Sequence, residues 1–94
     1  MEDLAAITGF IRVMQAGSFA GAARRLGISA SQLSKQISRL EQQLGTRLLR
    51  RTTRSLSLTE AGSIYSAHAL RIVEELEASR EAVTRLQSEP AGRL

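Results

Sequence analysis

An all-α fold carrying one small β-hairpin is what this 94-residue sequence predicts, and three observations lead there. Four stretches place apolar residues at intervals of three and four, the spacing of amphipathic helices. Gly17, Gly27 and Gly45 stand where the first three of those stretches end, as left-handed helix stops do. Between the third and fourth stretches, Leu48-Leu49 and the alternating Leu56-Ser57-Leu58 flank a polar, Arg-rich run, the pattern of two short strands.

The first helix spans roughly residues 3–16, with Leu4, Ile7, Ile11 and Met14 as its apolar stripe and Phe10 and Val13 widening it. Glu2 and Asp3 suit the positive end of its dipole. Ser18 can cap a short second helix in which Ala22, Ala23 and Leu26 share one side, small enough for another helix to approach closely. Gly27 stops that helix and Ile28 plugs the turn. Ser29 with Gln32 three places on fits a capping box, so a third helix starts there. Its buried stripe is Leu33, Ile37, Leu40 and Leu44, and its opposite face is Ser31, Ser34, Lys35, Ser38 and Gln42. Two helices joined by the tight turn Gly27-Ile28-Ser29 make a helix-turn-helix, although an ordinary helical hairpin uses similar turns. The strand pair, with Arg51 to Ser55 near its tip, would be marginal alone and must pack on the helices.

Thr59 can cap a last helix that meets no strong breaker before Pro90, so it can run for about 30 residues, or ~45 Å. That outreaches so small a head. Its stripe Tyr65, Ala69, Ile72, Leu76, Ser79, Val83 and Leu86 alternates steps of four and three, a heptad seam that wants a partner helix, most simply a second copy of itself.

Composition narrows the function classes. A chain this short buries only about 60–65% of its unfolded surface, so one small core is expected, helped by a partner. With no Cys and one His, neither a disulfide framework nor a Cys/His metal site can be built. No stretch approaches the ~18 uninterrupted apolar residues of a membrane span, and Met1-Glu2-Asp3 is acidic where a leader would be basic, so a soluble, cytoplasmic chain with no membrane partner is expected. Catalysis is not expected either. His68 has no nucleophile or acid arranged about it, and no Gly-rich phosphate loop is present. Three aromatics, Phe10, Phe19 and Tyr65, are too few for base-stacking recognition of single strands.

Charge points to a polyanion. The whole chain carries +4, but Leu4 to Thr59 holds nine cations against the single acid Glu41, while Glu60 to Glu89 holds six Glu against three Arg. Double-stranded DNA suits the small polar groups Ser31, Gln32, Ser34 and Lys35 at the start of the third helix, which would let it enter a major groove. Arg50, Arg51 and Arg54 could reach phosphates or a narrow minor groove from the hairpin. Arg24, Arg25 and Arg39 are weaker candidates, since such stems also cover apolar surface. Each residue taken singly has a plainer reading as a solvated side chain.

Taken together, AGSFAGAARRLGIS, SQLSKQISRLEQQLG and RLLRRTTRSLSLTEAG resemble the N-terminal DNA-binding domain of LysR-type transcriptional regulators, over roughly Asp3 to Gly92. The resemblance implies a winged helix-turn-helix head over residues 1–58, a linker helix over 59–89 that pairs in a homodimer, and a hinge from 90 onward. It places the helix-turn-helix at Phe19 to Ser38 and the recognition helix at Ala30 to Leu44. The DNA-binding set is then Ser29, Ala30, Ser31, Gln32, Ser34, Lys35, Ser38, Arg39, Arg50, Arg51 and Arg54, and the dimer interface is Tyr65, Ala69, Ile72, Leu76, Val83 and Leu86. Many members open the recognition helix with Pro or Gln-Pro and carry Arg after the Ser, where this chain has Ala30-Ser31-Gln32 and Lys35. Lysine keeps a phosphate contact but lacks arginine's bidentate fork for guanine. Members also carry a larger effector-binding domain, so this chain is expected to be a piece of a longer regulator. No cofactor is expected on it: a small-molecule inducer would bind the effector domain, and a higher oligomer stays open for the full-length protein.

Three functions remain to be separated. They are a sequence-specific DNA-binding dimer that regulates transcription, a nucleoid-type protein binding DNA without sequence preference, and a helical protein-interaction module.

Overall fold

The computed structural model describes residues 3–52 and 55–88, with six elements in chain order: α1 Leu4–Ala16, α2 Phe19–Leu26, α3 Ala30–Leu44, β1 Leu49–Arg51, β2 Leu56–Leu58 and α4 Glu60–Ser88. The expected fold class is the observed one. Each of the first three helices starts on a side-chain cap: Asp3 accepts from the Ala5 N–H, Ser18 from the Gly21 N–H and Ser29 from the Gln32 N–H, all at 3.0 Å. Each ends on a left-handed glycine, Gly17, Gly27 or Gly45, with φ of 77°, 72° and 74°. Of the capping box at Ser29, only the serine half forms, and the Gln32 side chain stays exposed on the outer face.

The core lies where α1, α2, α3 and the start of α4 meet. Phe10, Val13, Leu33, Ile37 and Leu40 are fully buried there, and the Phe10 ring tilts against Tyr65 of α4 with centroids 5.9 Å apart. Leu4 departs from the expected stripe: at the first residue of α1 it lies off the core and is 51% exposed.

Strands β1 and β2 pair antiparallel, Leu49 with Leu58, Arg50 with Ser57 and Arg51 with Leu56. The pleat puts Leu49, Leu56, Leu58 and Arg51 on one face and Arg50 and Ser57 on the other. Leu48 and Leu49 are buried, which docks the hairpin on the helices as an isolated pair would require.

One junction fixes how α4 leaves the head. The Thr59 hydroxyl donates to the Arg47 carbonyl at 2.6 Å and accepts from the Gly62 N–H at 2.9 Å, while the Thr59 N–H donates to the Leu48 carbonyl at 3.0 Å. A Cβ at position 62 would lie 2.0 Å from that same Leu48 oxygen, so only glycine lets the helix sit this close. From there α4 packs on α1 through Ala69 and Val73, which are 1% and 2% exposed, and then runs clear of the head. The molecule is 56 Å long with a radius of gyration of 16.0 Å, against about 12 Å for a ball of this many residues.

Candidate nucleic-acid interface

With Leu33, Ile37 and Leu40 turned inward, α3 presents an unpacked polar face in which Ser31, Gln32, Lys35, Ser38 and Arg39 are exposed and Ser34 is half-buried. Ser29 and Ala30 are exposed at its entrance, where Ser29 accepts from the Gln32 N–H through its hydroxyl and from the Leu33 N–H through its carbonyl. This face is narrow and free of bulky side chains at its N-terminal end, so it can approach base edges in a major groove.

Glu41, the single acid between Leu4 and Thr59, does not oppose this face. It is 6% exposed, and its Oε2 accepts from the N–H groups of Leu48 and Leu49 at 2.7 and 3.2 Å. The carboxylate thereby satisfies the backbone that opens β1, with Arg47 Nε 3.7 Å from its other oxygen. Every exposed charged side chain of the described residues from Leu4 to Thr59 is consequently a cation. Nothing local in the sequence marks Glu41 as buried, because its partners lie seven and eight residues on.

The hairpin arginines divide by strand face. Arg50, paired with Ser57, points to solvent. Arg51 shares the strand face of Leu49 and, although also exposed, has its guanidinium 4.5 Å above the Phe19 ring and its Nη1 donating to Ser34 Oγ at 2.7 Å. Alternation along β1 carried that signal, since Arg51 is two residues from the buried Leu49. Arg54, expected to reach phosphates, lies outside the described residues. Arg24 and Arg25 are exposed in the last turn of α2, where their charge also complements the helix dipole.

On α4 the expected seam divides into two. Tyr65 packs against the head's core and Ala69 is buried within it, joined by Val73. Of the expected dimer interface, Ala69 is therefore covered within the chain and Tyr65 is half-buried. Ile72, Val83 and Leu86 stand 45%, 57% and 55% exposed, and Leu76 is half-buried. Leu4, which the seam did not include, lines a shallow groove with Ile72, Leu76 and Ser79. An ion pair between Arg12 and Glu77 ties α1 to α4 beside it.

Among the described residues, no group of three His, Cys, Asp or Glu side chains comes together as a metal site, and no helix is long and apolar enough to cross a membrane.

The sequence model of the bacterial regulatory helix-turn-helix proteins of the lysR family matches residues 4–63. An HTH-type transcriptional regulator of Xanthomonas campestris pv. campestris (strain 8004) is 48% identical over 83 residues, which cover 88% of this chain and 24% of that protein. This chain thus spans about a quarter of that relative's length. Among solved structures, the BenM DNA-binding domain in complex with catB site 1 DNA superposes with a TM-score of 0.81 at 30% identity, covering 94% of this chain and 98% of that one. The CbnR DNA-binding domain in complex with DNA gives a TM-score of 0.76 at 34% identity, covering 93% and 99%.

Proposed function

The chain belongs to the lysR family of bacterial regulatory helix-turn-helix proteins, and from that premise we propose that it binds specific double-stranded DNA as a homodimer and so regulates transcription. In this reading α3 enters the major groove, with Ser31, Gln32 and Ser34 toward base edges and Lys35, Arg39, Arg50 and Arg54 offered to phosphates. The observation that carries it is the one-sided charge of the head. Its only acid between Leu4 and Thr59 is buried on backbone amides, while the cations around the polar face of α3 are exposed. A solvated face needs no such separation of signs, and a polyanion does.

The exposed residues Ile72, Val83 and Leu86, with Leu76 and Leu4 alongside, support pairing of α4 with a second copy. Pairing would set two recognition helices about one DNA turn apart, ~34–36 Å, and call for inverted half-sites. The DNA complexes of the similar BenM and CbnR domains support the same reading.

The test is binding to selected DNA in competition with random DNA across a salt series. Three or four phosphate-contacting cations per subunit predict a slope of log K against log salt of roughly −5 to −7. Selected sites are expected to bind ~10³-fold or more tighter than random sequence. A slope near zero overturns DNA binding, and equal affinity for both DNAs favours a nucleoid-type role.

A further inference from the structure

We infer that Arg51 is a positioning residue that turns the Ser34 hydroxyl into a one-way hydrogen-bond donor, so that Ser34 recognises an acceptor on a base edge in the major groove. The inference rests on the DNA reading of α3 and adds to it the polarity of one contact.

A serine hydroxyl carries one proton and two lone pairs, and left alone it rotates to donate or accept. Here one lone pair is taken by Arg51 Nη1 at 2.7 Å, the short distance of a charge-assisted bond. The guanidinium cannot give up its proton and offers no acceptor, so the direction of this bond is fixed. Two consequences follow for the hydroxyl. Donation into its oxygen polarises the O–H and strengthens it as a donor. The adjacent positive charge repels any second donor, such as the exocyclic amine of adenine or cytosine. What remains favourable is an acceptor, and the major-groove edge supplies them as guanine N7 and O6, adenine N7 and thymine O4.

The geometry is held from a third side. Arg51 comes from β1, Ser34 from α3, and Phe19 opens α2, with its ring 4.5 Å beneath the guanidinium. The stack restrains the guanidinium plane, and the pleat places the exposed Arg51 side chain on the same strand face as Leu49 and Leu56. A cation placed only to reach phosphate would need neither the ring nor the serine. Arg50, on the opposite strand face, shows that arrangement.

The test compares the wild-type chain with Arg51→Lys, Phe19→Leu, Ser34→Ala and the Arg51→Lys/Ser34→Ala double variant. Each is measured for affinity to the wild-type selected site, for affinity to random DNA, and for its own base preference by selection. Lysine keeps the charge but lacks the planar fork and stack. Arg51→Lys is expected to narrow the ratio of selected to random binding by roughly three- to tenfold. It should shift base preference at the same position as Ser34→Ala, and the double variant should be no worse than Ser34→Ala alone. Phe19→Leu should move the ratio in the same direction. At that position 7-deaza purines remove N7, 2-aminopurine removes guanine O6 and 5-methyl-2-pyrimidinone removes thymine O4. The analogue that deletes the recognised acceptor should cost wild type affinity and spare Ser34→Ala, and 2-thiothymine, whose major-groove edge is unaltered, should cost neither.

Circular dichroism first establishes that each variant is folded, since an unfolded basic chain keeps only non-specific binding and would narrow the ratio by itself. With folded variants, an unchanged ratio overturns the inference. So does additivity of the two substitutions, or a Ser34→Ala effect that is uniform over all sequences, which would assign the hydroxyl to phosphate. A wild-type chain that selects no sequence overturns the DNA reading beneath it, and the salt slope distinguishes that failure from the others.

Discussion

In α3 the apolar residues Leu33, Ile37 and Leu40 are all buried against the head, and the polar face is left over. In α4 Ala69 and Val73 are buried in the same core, while Ile72, Val83 and Leu86 remain in solvent. Both helices are amphipathic, and the difference lies in how many faces the chain itself can cover. A helix whose single apolar stripe is satisfied offers chemistry on its other side. A helix that keeps a second stripe after packing offers a surface for association. The polar face of α3 and the apolar face of α4 thus suit different kinds of partner, one a polyanion and the other an apolar helix.

The sharpest way to break this comparison is Leu76→Glu. In the paired helices it would bury a carboxylate in each protomer near Glu74, Glu75 and Glu77, with no cation supplied to meet it. An uncompensated buried charge costs about 3–5 kcal/mol, so the dimer should dissociate at micromolar concentration. Because Leu76 is only half-buried in the single chain, helical content should be retained. Sedimentation velocity with circular dichroism checks both. A variant that stays fully dimeric, or a wild type that is monomeric, removes the contrast between the helices.

Two adjacent residues sharpen it further. Val73 is 2% exposed and Ile72 is 45% exposed, on neighbouring faces of one helix. Val73→Ala leaves a cavity in the head and should lower unfolding free energy by about 2 kcal/mol in dilute, monomeric solution. Ile72→Ala should stay within ~0.5 kcal/mol under those conditions, yet weaken association at higher concentration. Urea unfolding at two protein concentrations separates the effects, and equal costs at low concentration would show that α4 has one apolar face rather than two.

What was legible in the sequence is what is decided locally. Ser18 and Ser29 cap helices within three residues of themselves and Gly17, Gly27 and Gly45 close them, while Asp3, legible only as a favourable charge at the start of the first helix, is its cap. The hairpin was visible from the alternation at Leu56-Ser57-Leu58. The division of α4 was not, because Tyr65-Ala69-Ile72 and Tyr65-Ala69-Val73 are equally good helical spacings and only the position of α1 chooses between them. The candidate site was half legible for the same reason. Residue types on α3 and in the hairpin pointed to a polyanion, whereas the burial of Glu41 and the joining of Arg51 to Ser34 and Phe19 depend on segments brought together by folding. Gly62 belongs with these, since its need for a bare Cα comes from the Leu48 carbonyl on another segment.

The smallest effect expected is at the ion pair that joins the two regions, Arg12 of α1 with Glu77 of α4. The side chain of Glu77 is half exposed and that of Arg12 is 22% exposed, so water screens the attraction and ordering two long side chains offsets part of it. Glu77→Gln should therefore lower stability by less than about 1 kcal/mol. It has a signature that Val73→Ala lacks. At an ionic strength of 1 M the Debye length falls to about 3 Å, so the difference between Glu77→Gln and wild type should shrink toward zero between low and high salt. The loss at Val73, being a packing defect, should persist. A cost at Glu77 that is large and independent of salt would mean that the distal part of α4 is held to the head by more than this pair, and the overhang would then be shorter than the exposure of Val83 and Leu86 implies.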